Sequence, residues 1–257
     1  MKKKEITIHK KNEIVRGGDR LSLIGKRALN AVYYLIQKNN LYNAYKIKIR
    51  FSTLRQLMGL NENNDYVERM KEGLKELMET IELNNWTNPN DGITYKWYAT
   101  RVLNEANFNK ENDEWYAVIE PNKTITGLMK LKENFTELQL IPAINKLRTK
   151  YAMKLYEFFK SFERFRYIDL PQDYLLKILG IDPESTYKHY SKFYELLQRQ
   201  IKELNKKTEF EHLKLAEPTK EMKKEKIYRF IINPKNKKVL TDRKKIEEMT
   251  ASLFKRF

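Results

Sequence analysis

The tetrapeptide Leu57-Met58-Gly59-Leu60 is matched further along the chain by Ile178-Leu179-Gly180-Ile181. A second matched pair follows each copy, Leu74-Lys75-Glu76-Leu77 and Ile201-Lys202-Glu203-Leu204. A glycine that follows an apolar helical segment is a common helix stop. The second motif in each copy continues the apolar stripe of a longer helix. The chain therefore predicts two copies of one structural unit.

The first copy predicts the order helix, strand, helix, helix, strand, strand. The predicted elements are a helix through Ala28–Ile36, a strand at Ile47–Phe51, a helix at Thr53–Met58 capped by Ser52, a helix at about 65–80, and strands at Ile81–Trp86, Thr94–Leu103 and Trp115–Glu120. The first two of these three strands flank the segment Asn88-Pro89-Asn90-Asp91-Gly92, which is typical of a turn.

The second copy repeats this order. The predicted elements are a helix at Lys150–Phe162, a strand at Tyr167–Leu170, a helix from Pro171 to Gly180, a helix at about 184–205, and strands at Thr208–Leu215 and Lys226–Ile232 around a charged turn. This order is that of a winged helix, in which a helix-turn-helix pair lies beside a β-hairpin wing. The second helix of the pair can enter the major groove of DNA, which is about 12 Å wide.

The predicted fold class is α+β, with two tandem winged-helix domains related by an internal repeat. We place the first domain at residues 1–134 and the second, with a basic tail, at residues 135–257. The segment beyond Pro234 is basic and ends in a short amphipathic pattern at Ile246–Phe257. That tail could pack as a final helix, bind DNA or bind a partner, and the pattern does not decide between these roles.

The charge balance favours a polyanionic partner. The chain has 51 Lys and Arg residues against 34 Asp and Glu, a formal net charge of +17. From Lys150 onward there are 26 basic and 16 acidic residues, so both halves of the chain are basic. Nucleic acid is the first partner that such an excess suggests. A Lys-rich proteome of low GC content would also produce part of this excess.

Several classes of active site have no counterpart in the sequence. None of the 8 glycines falls in a phosphate-binding or dinucleotide-binding fingerprint, and there is no cysteine. The three histidines, His9, His189 and His212, are isolated from one another. We therefore predict no catalytic residue, metal or cofactor. We find no apolar run near the ~18 residues that cross a bilayer and no signal peptide, so a cytoplasmic protein is expected.

The second copy resembles a known family, the initiator Rep proteins of iteron-controlled plasmids. Residues 148–157, RTKYAMKLYE, are similar to the family's SKYAxRLYE helix, and Ile201–Thr208 is similar to its KEIN-containing segment. The resemblance covers roughly residues 20–232. Two departures are Thr149, where serine is commoner, and Gln200, where a small residue is usual. The basic cluster that often starts the second recognition helix is also diluted here.

Membership of this family implies a replication role. It implies that monomers bind directly repeated iterons in double-stranded DNA at a plasmid origin, using both domains. Binding would help to open a nearby AT-rich region and recruit the host initiator and helicase. The resemblance also implies dimers, formed largely through the first domain, that repress the protein's own promoter.

Candidate DNA-contacting residues lie on the exposed faces of the predicted recognition helices and on the second wing. On the helix at 184–205 they are Lys188, His189, Ser191, Lys192, Glu195, Gln198 and Arg199. On the first-domain helix they are Arg69, Lys71 and Lys75, and on the wing Lys214, Lys220, Lys223 and Lys224. Arg199 and Gln198 can make bidentate contacts to guanine and adenine, whereas Lys188, Lys192 and Ser191 suit phosphates or base edges.

Three other functions fit parts of the pattern. A winged-helix transcriptional regulator without a replication role would use the same contacts on a palindromic operator. A winged-helix assembly module that binds only protein would have no DNA affinity at moderate salt. A nucleic-acid enzyme would cleave or nick DNA with a metal ion, and the missing ligands argue against it.

Overall fold

The computed structural model describes residues 6–11, 21–42, 45–62, 65–87, 92–129, 135–141 and 143–241. The tail at 242–257 and the predicted turn residues 88–91 lie outside the described residues. The described chain divides into two compact units, the first made of residues 6–11 and 21–146 and the second of residues 147–241. The predicted boundary after residue 134 falls just before strand β7, Phe135–Ile141, which pairs with β1, Ile6–Lys11, of the first unit.

The first unit is built on a helical trio and a three-stranded sheet. Its remaining elements are α1 Leu23–Lys38, β2 Ile47–Arg50, α2 Phe51–Leu57, α3 Tyr66–Leu77, β3 Ile81–Thr87, β4 Thr94–Thr100, β5 Leu103–Glu111, β6 Glu114–Pro121, α4 Lys123–Met129 and a 3₁₀ turn at Ile144–Lys146. The sheet has the order β2-β6-β5, and β3-β4 forms a separate hairpin. Ala28, Val32, Leu54, Met70 and Leu74 pack in the core between the helices.

The second unit repeats this plan with fewer additions. Its elements are α5 Lys150–Lys160, β8 Tyr167–Pro171, α6 Gln172–Ile178, a 3₁₀ turn at Thr186–Lys188, α7 Tyr190–Lys207, β9 Lys214–Leu215, α8 Lys220–Glu225, β10 Ile227–Ile231 and β11 Val239–Leu240. The sheet has the order β11-β8-β10-β9, with β11 parallel to β8. An aromatic core forms around Phe158, Phe159 and Phe230, where the rings of Phe159 and Phe230 lie 5.0 Å apart.

The two units have the same sheet topology around the helix-turn-helix. In each, the strand after the first helix pairs with the last wing strand, which pairs in turn with the first wing strand. This gives β2-β6-β5 in one unit and β8-β10-β9 in the other. The predicted α+β fold with two tandem winged-helix domains is confirmed.

The wing of the first unit differs from the prediction. The predicted strand Thr94–Leu103 ends at Thr100 as β4, and a break follows where the Val102 amide donates to the Leu77 carbonyl at 3.0 Å. Strand β5 begins at Leu103, and the sequence did not predict its extension over residues 104–111. The hairpin at 81–100 is therefore an insertion, and the wing is β5-β6, whose turn holds Asn112 and Asp113 at φ 47° and 63°. Residues 100–103, Thr-Arg-Val-Leu, contain no Gly or Pro that would mark the break.

The short helix α2 begins two residues earlier than predicted. Phe51 is its first residue rather than the end of a strand, and Arg50 occupies the N-cap position with no side-chain cap bond. Phe51 is buried and packs against Phe108, with ring centroids 4.4 Å apart, and against Trp115 at 5.6 Å. The aromatic contact, rather than a Ser52 cap, explains where this helix starts.

The predicted helix at 184–205 is also divided. A 3₁₀ turn at Thr186–Lys188 precedes α7, and His189 is the extended N-cap between them, with φ −84° and ψ 124°. The predicted strand Thr208–Leu215 is reduced to Lys214–Leu215, and the predicted charged turn contains the helix α8. Thr219 starts α8, since its hydroxyl accepts a hydrogen bond from the Met222 amide at 3.2 Å.

Each helix-turn-helix turn contains a glycine in the left-handed region. Gly59 and Gly180 both have φ +62°, as their predicted role of helix stop requires. The Leu60 amide donates to the Arg55 carbonyl at 3.1 Å, and the Ile181 amide donates to the Leu176 carbonyl at 2.9 Å. These are the six-residue bonds of a Schellman motif, which directs the chain away from the short helix.

Candidate nucleic-acid interface

Helix α7 has one buried side and one exposed, cationic side. Phe193, Leu197 and Leu204 are fully buried, and Leu196, Gln200 and Ile201 lie beside them. The exposed face consists of Ser191, Lys192, Glu195, Gln198, Arg199, Lys202 and Lys206. Four of these seven side chains are basic and one is acidic. A helix with such a face presents positive charge and hydrogen-bond donors to whatever it meets.

The start of α7 is held by a tyrosine stack. The Tyr190 ring lies on the Tyr228 ring with centroids 4.5 Å apart and an interplanar angle of 9°. The Tyr228 hydroxyl is buried and lies 3.1 Å from both Gln172 Oε1 and the Tyr190 carbonyl oxygen, two acceptors for its one proton. Gln172 Nε2 in turn donates to the carbonyls of Tyr187 at 2.8 Å and Lys188 at 3.0 Å. The turn that carries Lys188 is therefore fixed to α6.

Two tyrosine hydroxyls join α7 to the wing. Tyr190 Oη donates to the Ile227 carbonyl at 3.1 Å, and Tyr194 Oη donates to the Ala216 carbonyl at 3.2 Å. Burial raises the pKa of Tyr190 to about 12, and burial also raises the pKa of Tyr194 and of Tyr228. All three hydroxyls therefore keep their protons at neutral pH and remain hydrogen-bond donors.

The predicted cations near the start of α7 make only weak ion pairs. Lys192 Nζ lies 3.7 Å from Glu195 Oε2, and Lys188 Nζ lies 3.5 Å from Glu184 Oε2, with at least half of each side chain exposed. Exposed pairs of this kind are worth about 0–1 kcal/mol, so a phosphate can displace the carboxylate. Among the described residues Arg199 has no ion pair.

The sequence-predicted residues of the second unit all lie on its exposed surface. Lys188 belongs to the 3₁₀ turn and His189 is the N-cap of α7, so neither lies within the helix as predicted. Ser191, Lys192, Glu195, Gln198 and Arg199 share the exposed face. On the wing, Lys214 lies on β9, whereas Lys220, Lys223 and Lys224 lie on α8.

Sequence reasoning missed two members of the exposed face, Lys202 and Lys206. Both continue the series that runs through Glu195, Gln198 and Arg199 at spacings of three and four. The same helical spacing that selected the earlier residues would have found them, because i, i+3 and i+4 positions share one face.

In the first unit the three predicted residues do not share one environment. Lys71 and Lys75 are exposed on α3, and Lys71 Nζ lies 2.6 Å from Glu68 Oε1. Arg69 is half-buried instead. Arg27 is buried, and its guanidinium donates to the Gly59 and Asn145 carbonyls at 3.3 and 3.2 Å. Burial lowers the pKa of Arg27, and the positive charge of Arg69 lowers it further.

The repeat allows α3 and α7 to be compared position by position. The match of Leu74–Leu77 with Ile201–Leu204 sets an offset of 127 residues. Lys75 then corresponds to Lys202, and Lys71 to Gln198. Glu72 corresponds to Arg199, and half-buried Arg69 to buried Leu196. The exposed positions of α3 and its ends are Asp65, Glu68, Lys71, Glu72, Lys75 and Glu79. That face has four acidic side chains and two basic ones, the reverse of α7.

Basic side chains on the wing sheet of the first unit are paired with carboxylates. The pairs are Lys46 with Glu105 at 2.9 Å, Lys48 with Glu111, Arg50 with Glu114 at 3.3 Å, and Lys110 with Asp113 at 2.8 Å. The hydrogen bond between Lys46 and Glu105 raises the pKa of the lysine and lowers that of the glutamate. Residues 6–11 and 21–146 contain 19 basic and 15 acidic residues, whereas residues 147–241 contain 22 and 13. The described part of the second unit therefore has the larger excess of positive charge.

Metal-binding clusters and membrane-spanning helices are absent from the described part of the chain. No group of three or more His, Asp or Glu side chains there is arranged to hold a metal ion. No helix among these residues has the length and apolar character needed to span a membrane.

Residues 7–160 match the family model described as initiator replication protein, WH1. The chain belongs to this initiator family. The match spans nearly all of the first unit and extends through α5, and it confirms the resemblance found in the sequence. The protein is thus a member of a family of replication initiators.

Two solved structures share the initiator's fold. One is the crystal structure of Pi initiator protein in complex with iteron DNA, with a TM-score of 0.61 and 19% identity over 89% of this chain and 97% of that chain. The other is a structure of domains 2 and 3 of RctB, with a TM-score of 0.52 and 14% identity over 82% of each chain. A comparison with curated proteins found no match.

Proposed function

We propose that this initiator binds direct repeats in double-stranded DNA at a replication origin, and that α7 makes the base-specific contacts. The observation that carries the proposal is the cationic face of α7, held rigidly by the tyrosine stack. A helix-turn-helix places its second helix in the major groove. The solved structure of Pi initiator protein is a complex with iteron DNA, which supports the same kind of ligand for this chain.

Each exposed group of α7 has a chemical role in that groove. Arg199 can donate two hydrogen bonds to the O6 and N7 atoms of guanine, and Gln198 can pair with the N6 and N7 atoms of adenine. Glu195 can accept from the amino group of cytosine. His189 and Ser191 lie at the helix start, where hydroxyl and imidazole groups reach phosphates or base edges.

Lysines outside the base-reading set supply the general affinity. Lys188, Lys192, Lys202 and Lys206 surround the base-reading side chains, and the wing lysines on β9 and α8 extend the cationic surface. Each cation that contacts a phosphate releases condensed counterions, so binding should weaken steeply as salt rises.

The proposed activity is binding rather than catalysis. In this proposal the protein holds repeats at the origin, promotes opening of neighbouring DNA, and provides a surface for the host initiator and helicase. A dimeric form would repress the protein's own promoter. These steps take place in the cytoplasm, where plasmid DNA is replicated.

The test is footprinting on DNA that flanks the protein's own gene, at about 150 mM salt with random competitor DNA. Protection of several direct repeats, each about two helical turns long, is the expected result. Protection of one inverted repeat would identify a transcriptional regulator instead. Loss of all protection in competitor DNA would contradict DNA recognition itself. Metal-dependent nicking of the probe would contradict the non-catalytic role.

A further inference from the structure

A side chain of the recognition helix clamps the start of the first helix in each unit. In the first unit the Ser22 amide donates to Glu76 Oε1 and the Ser22 hydroxyl donates to Glu76 Oε2, both at 2.6 Å. Ser22 is the N-cap of α1, and its hydroxyl oxygen accepts from the Gly25 amide at 3.1 Å. One carboxylate on α3 therefore holds the cap of α1 by two hydrogen bonds.

The second unit builds the same clamp from two side chains. The Arg148 amide donates to Glu203 Oε1 at 2.6 Å, and the Thr149 hydroxyl donates to Gln200 Oε1 at 2.5 Å. Thr149 caps α5 by accepting from the Ala152 amide at 3.0 Å. Thr149 and Glu203 correspond to Ser22 and Glu76 at the same offset of 127 residues. The clamp is thus part of the repeat.

Two residue differences between the copies explain why the second clamp uses two side chains where the first uses one. A Cβ at Gly25 would lie 2.2 Å from Glu76 Oε2, so the carboxylate occupies the place of a methyl group. The corresponding residue, Ala152, has that methyl group, and Glu203 reaches the preceding amide instead. Gln200, which corresponds to Gly73, then accepts from the threonine hydroxyl. The departure of Gln200 from the usual small residue therefore has a structural reason.

The accepting side chains of the second clamp are largely buried, whereas the bond from the Arg148 amide to Glu203 lies at the surface. Gln200 is 6% exposed. The Glu203 side chain is 16% exposed and also accepts from Lys207 Nζ at 2.9 Å. Hydrogen bonds to an ionised carboxylate are shorter and stronger than neutral ones. Removal of the carboxylate would leave the Arg148 amide without this acceptor.

We propose that Glu203 and Gln200 are positioning residues that set the sequence specificity of α7. The inference rests on the proposed function and adds to it the part of the helix that faces away from DNA. Base recognition requires side chains to be held within about 0.5 Å of their productive positions. Phosphate contacts by long lysine side chains tolerate larger shifts. Loss of the clamp therefore lowers specific binding more than non-specific binding.

Because Glu203 is charged, its effect on positioning can be separated from its effect on the net charge of the protein. Replacement of a glutamate by a neutral residue makes the protein more positive and should raise its affinity for any DNA. A positioning role predicts the opposite for specific DNA. The ratio of specific to non-specific affinity consequently reports position, while the non-specific affinity reports charge.

The experiment measures Kd for DNA flanking the protein's own gene and for a scrambled duplex of equal length, at one salt concentration. Glu203→Ala should lower the affinity ratio about tenfold with no loss of non-specific affinity. Glu203→Gln, which keeps the accepting oxygen, should retain most of the ratio. The matched control is Glu211→Ala, which removes one exposed charge from the same unit and should leave the ratio unchanged. An unchanged ratio in Glu203→Ala, or equal losses on both duplexes, would overturn the positioning role.

Amide hydrogen exchange in the free protein tests the clamp without DNA. The Arg148 amide should be protected in the parent protein and should exchange at least tenfold faster in Glu203→Ala, with the Glu211→Ala control unchanged. Equal exchange in the parent and Glu203→Ala would overturn the clamp even if DNA binding were normal. A parent protein that shows this protection but no preference for any flanking DNA would overturn the proposed function and the specificity role together, with the clamp standing as a purely structural contact.

Discussion

The two units share one winged-helix plan but present opposite charges on their recognition helices. On α7 the exposed side chains are four basic and one acidic, whereas on α3 and its ends they are two basic and four acidic. The reversal is clearest at Arg199, whose counterpart is Glu72. The comparison shows that a duplicated fold does not duplicate its ligand surface, because core positions and exposed positions can diverge independently.

The wings differ as well. The first wing, β5-β6, is long, and basic side chains on or beside its sheet are paired with carboxylates of β5 and of the wing turn. The second wing has a two-residue β9 and the lysine-bearing helix α8. Together with the recognition helices, this difference leads us to expect most DNA contacts from the second unit. Variants at equivalent positions of the two helices can test whether α3 of the first unit also contacts DNA.

The largest expected effect concerns Gly59, the turn glycine of the first unit. A Cβ at Gly59 would lie 2.6 Å from the Asn145 Cβ, and Asn145 is fixed because its Nδ2 donates to the Leu57 carbonyl at 3.0 Å. Left-handed backbone costs an alanine about 1–2 kcal/mol, and overpacking adds about 1–3 kcal/mol. Gly59→Ala should therefore lower the free energy of unfolding by about 2–5 kcal/mol, measured by urea denaturation.

Gly92 provides the matched control for that substitution. It has φ +73°, yet no atom of the described residues lies within 4 Å of the position that an alanine Cβ would take there. Gly92→Ala should thus show only the conformational cost of about 1–2 kcal/mol. Equal losses in the two variants would mean that the contact with Asn145 adds nothing to the first helix-turn-helix.

The next effect concerns base reading by the two helices. Arg199→Ala should weaken binding to the protected repeats by about 10- to 100-fold, since a good bidentate base contact is worth about 1–3 kcal/mol. The equivalent change in the first unit, Glu72→Ala, should not weaken binding. Competition assays with repeat-containing and scrambled duplexes measure both variants. Equal losses on the two duplexes would remove Arg199 from the base-reading residues.

Much of this comparison could be predicted from the sequence. The repeated motifs and apolar spacing predicted both winged-helix domains, because buried helix faces leave a strong periodic pattern. The exposed face of α7 followed from the same pattern. In the first unit, however, Arg69 was assigned to the exposed face, and its half-buried position beside Arg27 depends on a neighbour in another helix. The positive charge of Arg69 in the sequence does not reveal that it lies near Arg27.

Other features depend on contacts between distant residues. The break between β4 and β5 is set by the pairing of β5 with β6, which no local pattern reveals. The start of α2 is set by the ring contacts of Phe51, and the start of α7 by Gln172 holding the preceding turn. The clamp at Glu203 spans 55 residues. In the sequence, the pairing of Arg148 with Glu203 could be found only by comparing the two copies residue by residue.

A smaller effect compares the two equivalent lysines, Lys75 and Lys202. Both are exposed, but Lys202 lies on the cationic face and Lys75 lies among carboxylates. Lys202→Ala should reduce the slope of log affinity against log salt by about 0.9, the value for one lost phosphate contact. Lys75→Ala should leave the slope unchanged. A reduced slope in both variants would show that α3 also contacts DNA and would weaken the proposed division between the units.

The smallest effect tests whether the tyrosine stack of the second unit stabilises the fold at high pH. The pKa of Tyr190 is raised to about 12 from an ordinary value near 10, so the folded state holds this proton more tightly than the unfolded state. The resulting stabilisation is complete below pH 10 and is lost as the pH rises from 10 to 12. Tyr190→Phe removes the titrating hydroxyl, so its free energy of unfolding should fall less steeply over that interval, although it starts lower because the bond to the Ile227 carbonyl is lost. Denaturant titrations at pH 9, 10, 11 and 12 measure the slope. Parallel slopes in the two proteins would mean that Tyr190 titrates alike in the folded and unfolded states, and that the stack does not shield it.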